Sequence, residues 1–267
     1  MKLNIYHRTE YHYDKPVNYS IHVLRLIPKE EPGQIINEWK IYAPSSLNTS
    51  IDAFDNQTHS YVMDGLYTDM IIEAEGEIES TSAHVFTDKK DAVSPYYLLQ
   101  QTELTLPTKE MLLYFNQLMP SLNTYIDLLK LAEIIQKKIN YQSGYTNSNT
   151  PGFKAFEISR GVCQDHAHVM LGICRSRQIP ARYVSGYFFT PHAKNLASHA
   201  WVDVCLDIKN GIWNSIDVTN ACVTDDRHVR LAIGRDYSSA APIIGSRSGG
   251  GSEQMNAVVS ISESQTI

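Results

Sequence analysis

The sequence predicts an α+β fold in which a β-rich N-terminal domain precedes a mixed domain of helices and strands. Three observations indicate this. Residues 3–82 alternate polar and apolar side chains in short stretches separated by turn residues. Residues 108–139 instead space their apolar side chains as helices do. A buried helix then begins near Cys163 and is followed by strand-like stretches, as expected for a helix packed on an antiparallel sheet.

The composition is that of a globular protein without a general affinity for polyanions. The 267 residues include 29 acidic and 23 basic side chains, for a net charge of −6, and 43% are hydrophobic. This balance predicts neither nucleic acid nor a membrane as a partner. The first residues lack the apolar core of a signal peptide, which favours a cytoplasmic location. The small basic cluster at residues 227–230 is interpreted as ordinary surface.

The N-terminal domain, residues 1–88, is predicted to be sandwich-like. Its clearest strand spans residues 70–79, where glutamates alternate with apolar side chains. Such a row of carboxylates could bind a cation, but a charged face that prevents strand pairing is the preferred interpretation. Residues 89–107 are predicted to be a linker. Residues 108–267 are assigned to the catalytic core, including a last strand over residues 255–262.

Two helices should open this core. The first spans residues 108–119, and Pro120 ends it. In the second, Thr124 and Asp127 form a capping box. The helix that begins at Cys163 should end before Pro180. Strands are predicted over residues 182–189, 199–206 and 212–217.

Cys163 is the candidate nucleophile because it lies in the first turn of its predicted helix. The unpaired N–H groups and the dipole there stabilise a thiolate and can hold an oxyanion. His199 and Asp217 lie on successive predicted strands, so the chain supplies a nucleophile, a base and an orienting group in that order. An inert core cysteine is the alternative, since free cysteines are often buried.

The hairpin after His199 decides whether these residues can meet. A two-residue turn at Asn210–Gly211 would set Asp217 opposite Val204, far from His199. A five-residue loop over residues 206–210 would set His199 directly opposite Asp217. We predict the second register, in which Trp201 is opposite Ser215.

Zinc is the chemical alternative at this site. Its ligands would come from Cys163, His166, His168, Cys174 and His199. No Cys-x-x-Cys or His-x-x-His pair completes the set, so neither a metal nor a cofactor is expected.

Several further side chains receive predicted roles. Gln164, His166, Trp201 and Tyr145 are candidate substrate contacts, although Trp201 also fits a core position, and Gln142 or Tyr145 is a candidate second oxyanion donor. His168 is predicted to form a hydrogen bond across the core, and His192 to lie on a loop near the site entrance. The remaining cysteines, Cys174, Cys205 and Cys222, are predicted to be structural and reduced.

These motifs resemble the bacterial transglutaminase-like proteins, some of which are described as cysteine proteases. The resemblance is carried by residues 52–56, 161–168, 179–187, 198–201, 217–220, 227–229 and 232–237. It implies a papain-like core that carries Cys163, His199 and Asp217 behind an N-terminal β domain. Two positions depart from the family: His166 replaces an apolar residue, and Val218 replaces a proline.

The implied chemistry is acyl transfer through a thioester on a peptide or glutamine-type amide. Water as the acceptor would make the chain a protease or amidase, whereas an amine would make it a transglutaminase. Family members with this short two-domain plan are usually described as proteases, so the resemblance favours hydrolysis. A catalytically silent module that binds peptides is the remaining alternative, and self-association of the chain stays open.

Overall fold

The computed structural model describes residues 1–89, 92–191 and 198–264. Within these ranges, no helix is long and apolar enough to cross a bilayer. His192, predicted to lie near the site entrance, is outside the described residues.

The N-terminal domain is one six-stranded antiparallel sheet built around two very long strands. These strands are β1 (Lys2–Leu24) and β4 (Gln57–Ser80), and the others are β2 (Gln34–Tyr42), β3 (Asn48–Ile51), β13 (Ile243–Gly249) and β14 (Glu253–Glu263). The successive strands β2 and β3 pair with β4, while β13 and β14 pair with β1. The expected sandwich is replaced by a single sheet because β1 and β4 run through both halves of it.

The predicted alternation within residues 70–79 is confirmed. Ile72, Ala74 and Ile78 are buried on one face. On the other face, cross-strand cations pair with the glutamates: Arg8 with Glu73 and Lys2 with Glu77. Two of the four glutamates in the acidic row are therefore paired with cations on the outer surface.

The second sheet carries the candidate site. Its strands are β5 (Val85–Thr87), β8 (Ala181–Phe188), β9 (His199–Asp207), β10 (Ile212–Asp217), β11 (Cys222–Val223) and β12 (His228–Gly234). The order is β11-β10-β9-β8-β12, with β5 paired to β10. A short parallel pair, β6 (Asn140–Tyr141) and β7 (Arg160–Gly161), lies before the Cys163 helix.

Five α-helices accompany this sheet in the described part of the chain. They are α1 (Lys109–Leu118), α2 (Tyr125–Lys138), α3 (Gly152–Ile158), α4 (Cys163–Ser176) and α5 (Tyr237–Ala240), and a 3₁₀ helix spans Pro95–Leu99. The predicted capping box of α2 is confirmed, with both Thr124 and Asp127 bonds present. Helix α3 was not predicted.

Helix α4 runs through the middle of the core. Of its fourteen side chains only Gln164 and Ser176 are not buried. It packs against β9 and β8 on one side and against α3 and α2 on the other, and Ala200, Val202 and Ala181 belong to the same apolar cluster. The position of Cys163 is therefore fixed by the packing of the whole helix.

The predicted domain boundaries need two corrections. The strands β13 and β14 pair with β1, so the C-terminal segment completes the N-terminal sheet and not the second domain. Strand β5 pairs with β10, so residues 85–87 extend the second sheet instead. Neither pairing has a local signal, because each joins residues more than a hundred positions apart.

Side-chain amides of the N-terminal domain cap the outer edge of β12. Asn56 donates to the carbonyl of Ile233 (2.8 Å) and accepts from its N–H (2.9 Å). Gln34 makes the same two contacts with Arg230, both at 2.8 Å. These amides satisfy backbone groups that a further strand would otherwise pair. The two domains are thus joined by specific bonds.

The basic cluster at residues 227–230 is not ordinary surface, and that interpretation is wrong. Arg230 is 4% exposed. Its guanidinium forms two bonds to Asp203 (2.6 and 3.0 Å) and one to Glu31 (2.7 Å). Because β12 alternates its side chains across the sheet, it carries this cation inward to a buried carboxylate.

Candidate active site

Cys163 is the first residue of α4 and is 8% exposed. The turn before it is held by Asp165, whose Oδ2 accepts the N–H of Val162 and the hydroxyl of Thr146, both at 2.7 Å. A Cβ on Gly161 would lie 2.7 Å from that oxygen, which explains the glycine. The Gly-Val-Cys-Gln-Asp motif therefore builds a tight helix start that presents the thiol.

His199 and Asp217 are joined by a hydrogen bond of 2.8 Å between Nε2 and Oδ2. This bond engages Nε2, so Nδ1 is the ring nitrogen available to the thiol. Burial acts to lower the pKa of His199. The hydrogen bond and charge of Asp217, with a further contribution from Cys163, outweigh burial and raise that pKa to about 10. The geometry favours an imidazolium beside the thiol.

The predicted β9–β10 register is wrong by two residues. Ser215 pairs with Asp203 and not with Trp201. His199 consequently lies two positions beyond the residue opposite Asp217, on the same face of the sheet. It reaches the carboxylate diagonally, which long side chains can do between adjacent strands.

The hairpin loop explains this register. Asp207 pairs with Ile212, so the loop spans residues 208–211, and a bulge follows between Ile212 and Trp213. The Asp207 carboxylate accepts the backbone N–H of Asn210 at 3.0 Å, and Gly211 adopts a φ of 64°. Neither simple turn considered from the sequence contains this bulge.

Asp217 is fully buried and accepts several hydrogen bonds. Its Oδ1 accepts the backbone N–H groups of Thr219 (3.0 Å) and Asn220 (3.1 Å), and its Oδ2 accepts the Asn220 side chain (2.6 Å). Although burial acts to raise its pKa, the bonds and charges of His199 and His228 hold that pKa far below the usual range. The turn after Asp217 forms with Val218 in place of the family's proline.

His228 is a member of this site that the sequence analysis missed. Its Nε2 lies 3.0 Å from the Oδ2 of Asp217. Its Nδ1 lies 3.1 Å from both the backbone nitrogen and the carboxylate Oδ1 of Asp225. The motif at residues 227–229 was noticed, but a strand pairing within the sheet is what brings it to Asp217.

The ligand atoms of His199, Asp217 and His228 lie within 4.8 Å of one another, a spacing that could hold a metal ion. Hydrogen bonds account for each contact, because both rings present Nε2 to the same carboxylate oxygen. The zinc set considered from the sequence forms no such cluster in the ranges that the structure describes. His168 instead accepts the N–H of Tyr237 at 3.2 Å, as its predicted core role requires.

Two models of known protein families match successive segments of the chain. The bacterial transglutaminase-like N-terminal region matches residues 3–79, and the transglutaminase-like superfamily core matches residues 117–218. Residues 117–218 thus match the transglutaminase-like superfamily. The core match includes Cys163, His199 and Asp217.

Two mycobacterial proteins and one crystal structure are similar to this chain. An uncharacterized protein of Mycobacterium leprae is 28% identical over 97% of this chain and 98% of its own length. An uncharacterized protein of Mycobacterium tuberculosis is 34% identical over 44% of this chain and 40% of its own. A crystal structure described as "a Putative Cysteine Protease from Cytophaga hutchinsonii" has a TM-score of 0.81 at 21% identity, covering 100% of this chain and 92% of that one. This likeness shows a shared fold.

The four candidate substrate contacts differ in how deeply they are buried. His166 is fully buried, with Nε2 bound to the carbonyl of Ile139 and Nδ1 to Thr219. Trp201 is 1% exposed. These two predictions are corrected, because the sheet and α4 bury both rings. Gln164 lines a cleft beside Cys163, and its role stays a prediction.

Tyr145 is 50% exposed and carries the guanidinium of Arg160 over its ring at 4.4 Å. The backbone N–H of Gln142 donates to the carbonyl of Gly161, two residues before Cys163. Their roles as oxyanion donors therefore stay predictions. All four cysteines are free thiols.

Proposed function

We propose that the chain is a thiol-dependent acyl-transfer enzyme that hydrolyses amide bonds in peptides or glutamine-type side chains. The observation that carries this proposal is the His199–Asp217 bond of 2.8 Å beside a thiol at a helix N-terminus. A buried carboxylate that orients an imidazole toward a nucleophile is the arrangement acyl transfer requires.

The mechanism begins with the thiolate of Cys163 and protonated His199. The thiolate attacks the amide carbonyl, and the backbone N–H of Cys163 donates to the oxyanion. As the C–N bond breaks, His199 transfers its proton to the departing amine, and a thioester remains. Water then attacks the thioester while His199 accepts a proton, and the acid product leaves the regenerated thiol. Asp217 holds the ring orientation throughout.

Transamidation is the same reaction with an amine in place of water. The choice of hydrolysis rests on the resemblance to proteins described as cysteine proteases. Glutamine-containing peptides should be incubated with and without an added primary amine, and the products identified by mass spectrometry. Free acids or cleaved peptides support hydrolysis, whereas amine adducts would identify a transamidase.

Cys163→Ala is the control for both reactions. The variant should fold, as judged by circular dichroism, and should form no product. Turnover by folded Cys163→Ala would remove the nucleophile assignment. If neither protein formed product and Cys163 reacted no faster than the other thiols, a peptide-binding module would be the better conclusion.

A further inference from the structure

A cleft of about 790 Å³ lies between the N-terminal sheet and the start of α4. Val162 and Gln164, the residues on either side of Cys163, line one wall together with the loop at residues 146–149. The opposite wall belongs to β1, β13 and β14 of the N-terminal domain. A chain that delivers a carbonyl to Cys163 from this side must therefore pass along the N-terminal sheet.

The edge of β13 lines this cleft, next to the face of the sheet that carries Tyr11, Glu253 and Met255. Residues 243–247 contribute consecutively to the lining. Because successive side chains of a strand point to opposite faces, a wall made by one face would contain only alternate residues. Ile244, Gly245 and Ser246 are also exposed in succession.

This edge has no strand partner in the part of the chain that the structure describes. There, β13 pairs only with β1, so the backbone groups on its other side face the cleft. Exposed edges are commonly protected by charged side chains. Arg247 is the one charged residue of the segment 243–247, and its guanidinium is engaged by the carbonyls of Gly249 and Gly251, by Glu253 and by the ring of Tyr13.

We infer that the substrate is an extended peptide segment that adds to the free edge of β13 and thereby brings its scissile amide to Cys163. This inference rests on the proposed function and names its substrate class. Five strand residues span about 16 Å, enough to pair with a peptide of four or five residues. The N-terminal domain thus forms part of the substrate site.

Tyrosine rings supply the remaining contacts along this path. Tyr11 of β1 and Tyr237 of α5 line the cleft, whereas Tyr13 is 2% exposed and is covered by the guanidinium of Arg247. Each ring combines an apolar body with a polar tip, so these walls suit peptide side chains of mixed character. Backbone pairing to β13 sets the direction of the peptide, and the rings favour bulky side chains beside it.

Peptidyl chloromethyl ketones of one to five residues test this inference without a known substrate. The rate of Cys163 modification by each probe is divided by the rate with iodoacetamide, which needs no cleft. Two or three added backbone hydrogen bonds predict that this ratio rises about 10-fold or more with length. A ratio independent of length would overturn the inference.

N-methylation of the longest probe, one amide at a time, distinguishes strand pairing from ordinary groove binding. Only alternate amides of a paired strand point to its partner, so methylation should lower the ratio at every second position. An even loss at all positions, or no loss, contradicts pairing. This measurement leaves the protein unchanged and so does not depend on the folding of a variant.

Ser246→Pro places a residue without an N–H in β13, and Asn48→Pro does the same in the edge strand β3, away from the cleft. The Ser246 variant should lose the dependence on probe length, whereas the Asn48 variant should keep it. A second copy of this chain could also occupy the free edge of β13. Sedimentation of both variants therefore measures their oligomeric state. A dimer that Ser246→Pro dissociates would assign the edge to self-association and overturn the inference.

These outcomes separate the inference from the proposed function. If iodoacetamide modifies Cys163 rapidly in mildly acidic buffer and probe length has no effect, the enzyme proposal stands and the β13 site fails. If iodoacetamide finds Cys163 no more reactive than the other thiols, the proposed function fails, and the β13 site fails with it.

Discussion

Asp217 is shared by two histidines, and this sharing is the most consequential feature at the residue scale. His199 and His228 both present Nε2 to its Oδ2, at 2.8 and 3.0 Å. A carboxylate held from two sides cannot rotate without losing a bond to one ring. We therefore expect His228 to act through Asp217 as a positioning residue for His199.

His228→Ala should lower the rate of acyl transfer without changing KM much. Losing a hydrogen bond to a buried carboxylate predicts a drop of about 10- to 100-fold in kcat. His228→Gln can still donate to Asp217 and should recover part of the loss. The pH profile of Cys163 alkylation serves as the readout. An unchanged profile in folded His228→Ala would make the residue merely structural.

The ionised pair at His199 also predicts how stability varies with pH. Because Asp217 and Cys163 raise the pKa of His199 to about 10, its charged form stabilises the folded chain. That stabilisation is complete below the unfolded pKa of about 6.5 and is lost as the pH rises through 10. Urea titrations of the wild type and His199→Ala should therefore differ most near pH 6 and converge toward pH 10. A constant difference would contradict the charged state.

The sequence patterns identified which residues belong to the site better than they predicted the contacts of those residues. Cys163, His199 and Asp217 stand out by residue type, order and local motif. His166 and Trp201 were misplaced because a motif does not reveal which way a buried ring points. His228 was missed because its contact with Asp217 depends on the pairing of β12 within the sheet, which has no local signature.

Elements with local signals were predicted well. The bounds of β10 and the capping box of α2 match the structure, since alternation and capping are properties of neighbouring residues. The predicted β9–β10 register failed because the loop lies at residues 208–211 and not at residues 206–210, and the bulge that follows makes up only one residue of the difference. The sandwich failed because nothing in a short window distinguishes two strands from one strand of 23 residues.

The substitution Asn56→Ala tests how much the bonds between the two domains stabilise the protein. It supplies both a donor and an acceptor to the backbone of Ile233 on β12. Asn56→Ala would leave these buried groups unpaired, at a cost of about 1–3 kcal/mol in the free energy of unfolding. Asn37→Ala, an exposed change in the same domain, should cost little. Equal urea midpoints for the two variants would refute this role of Asn56.

At the scale of the whole molecule, the chain ends close the N-terminal sheet. Strands β13 and β14 cover the same edge of β1 in succession, over residues 17–24 and 3–13. The domain that begins the chain is therefore completed only when its last residues are present. This arrangement also fixes the cleft, since β13 and α4 belong to different domains.

Truncation after Pro242 should expose most of one edge of β1. An exposed edge of that length promotes pairing between chains, so the truncated protein should aggregate. Size-exclusion chromatography compares it with a chain that lacks only residues 265–267. A truncated protein that eluted as a stable monomer would show that the N-terminal sheet does not need its C-terminal strands.

The most direct measurement is the rate at which iodoacetamide alkylates each cysteine between pH 4 and 9. Burial raises the pKa of Cys174 to about 12 and those of Cys205 and Cys222 to about 11, so these thiols should react slowly. Cys163 should react rapidly well below pH 8 and lose this reactivity in His199→Ala. A Cys163 as slow as its neighbours, or one unaffected by His199→Ala, would contradict the thiolate–imidazolium pair on which the proposed chemistry rests.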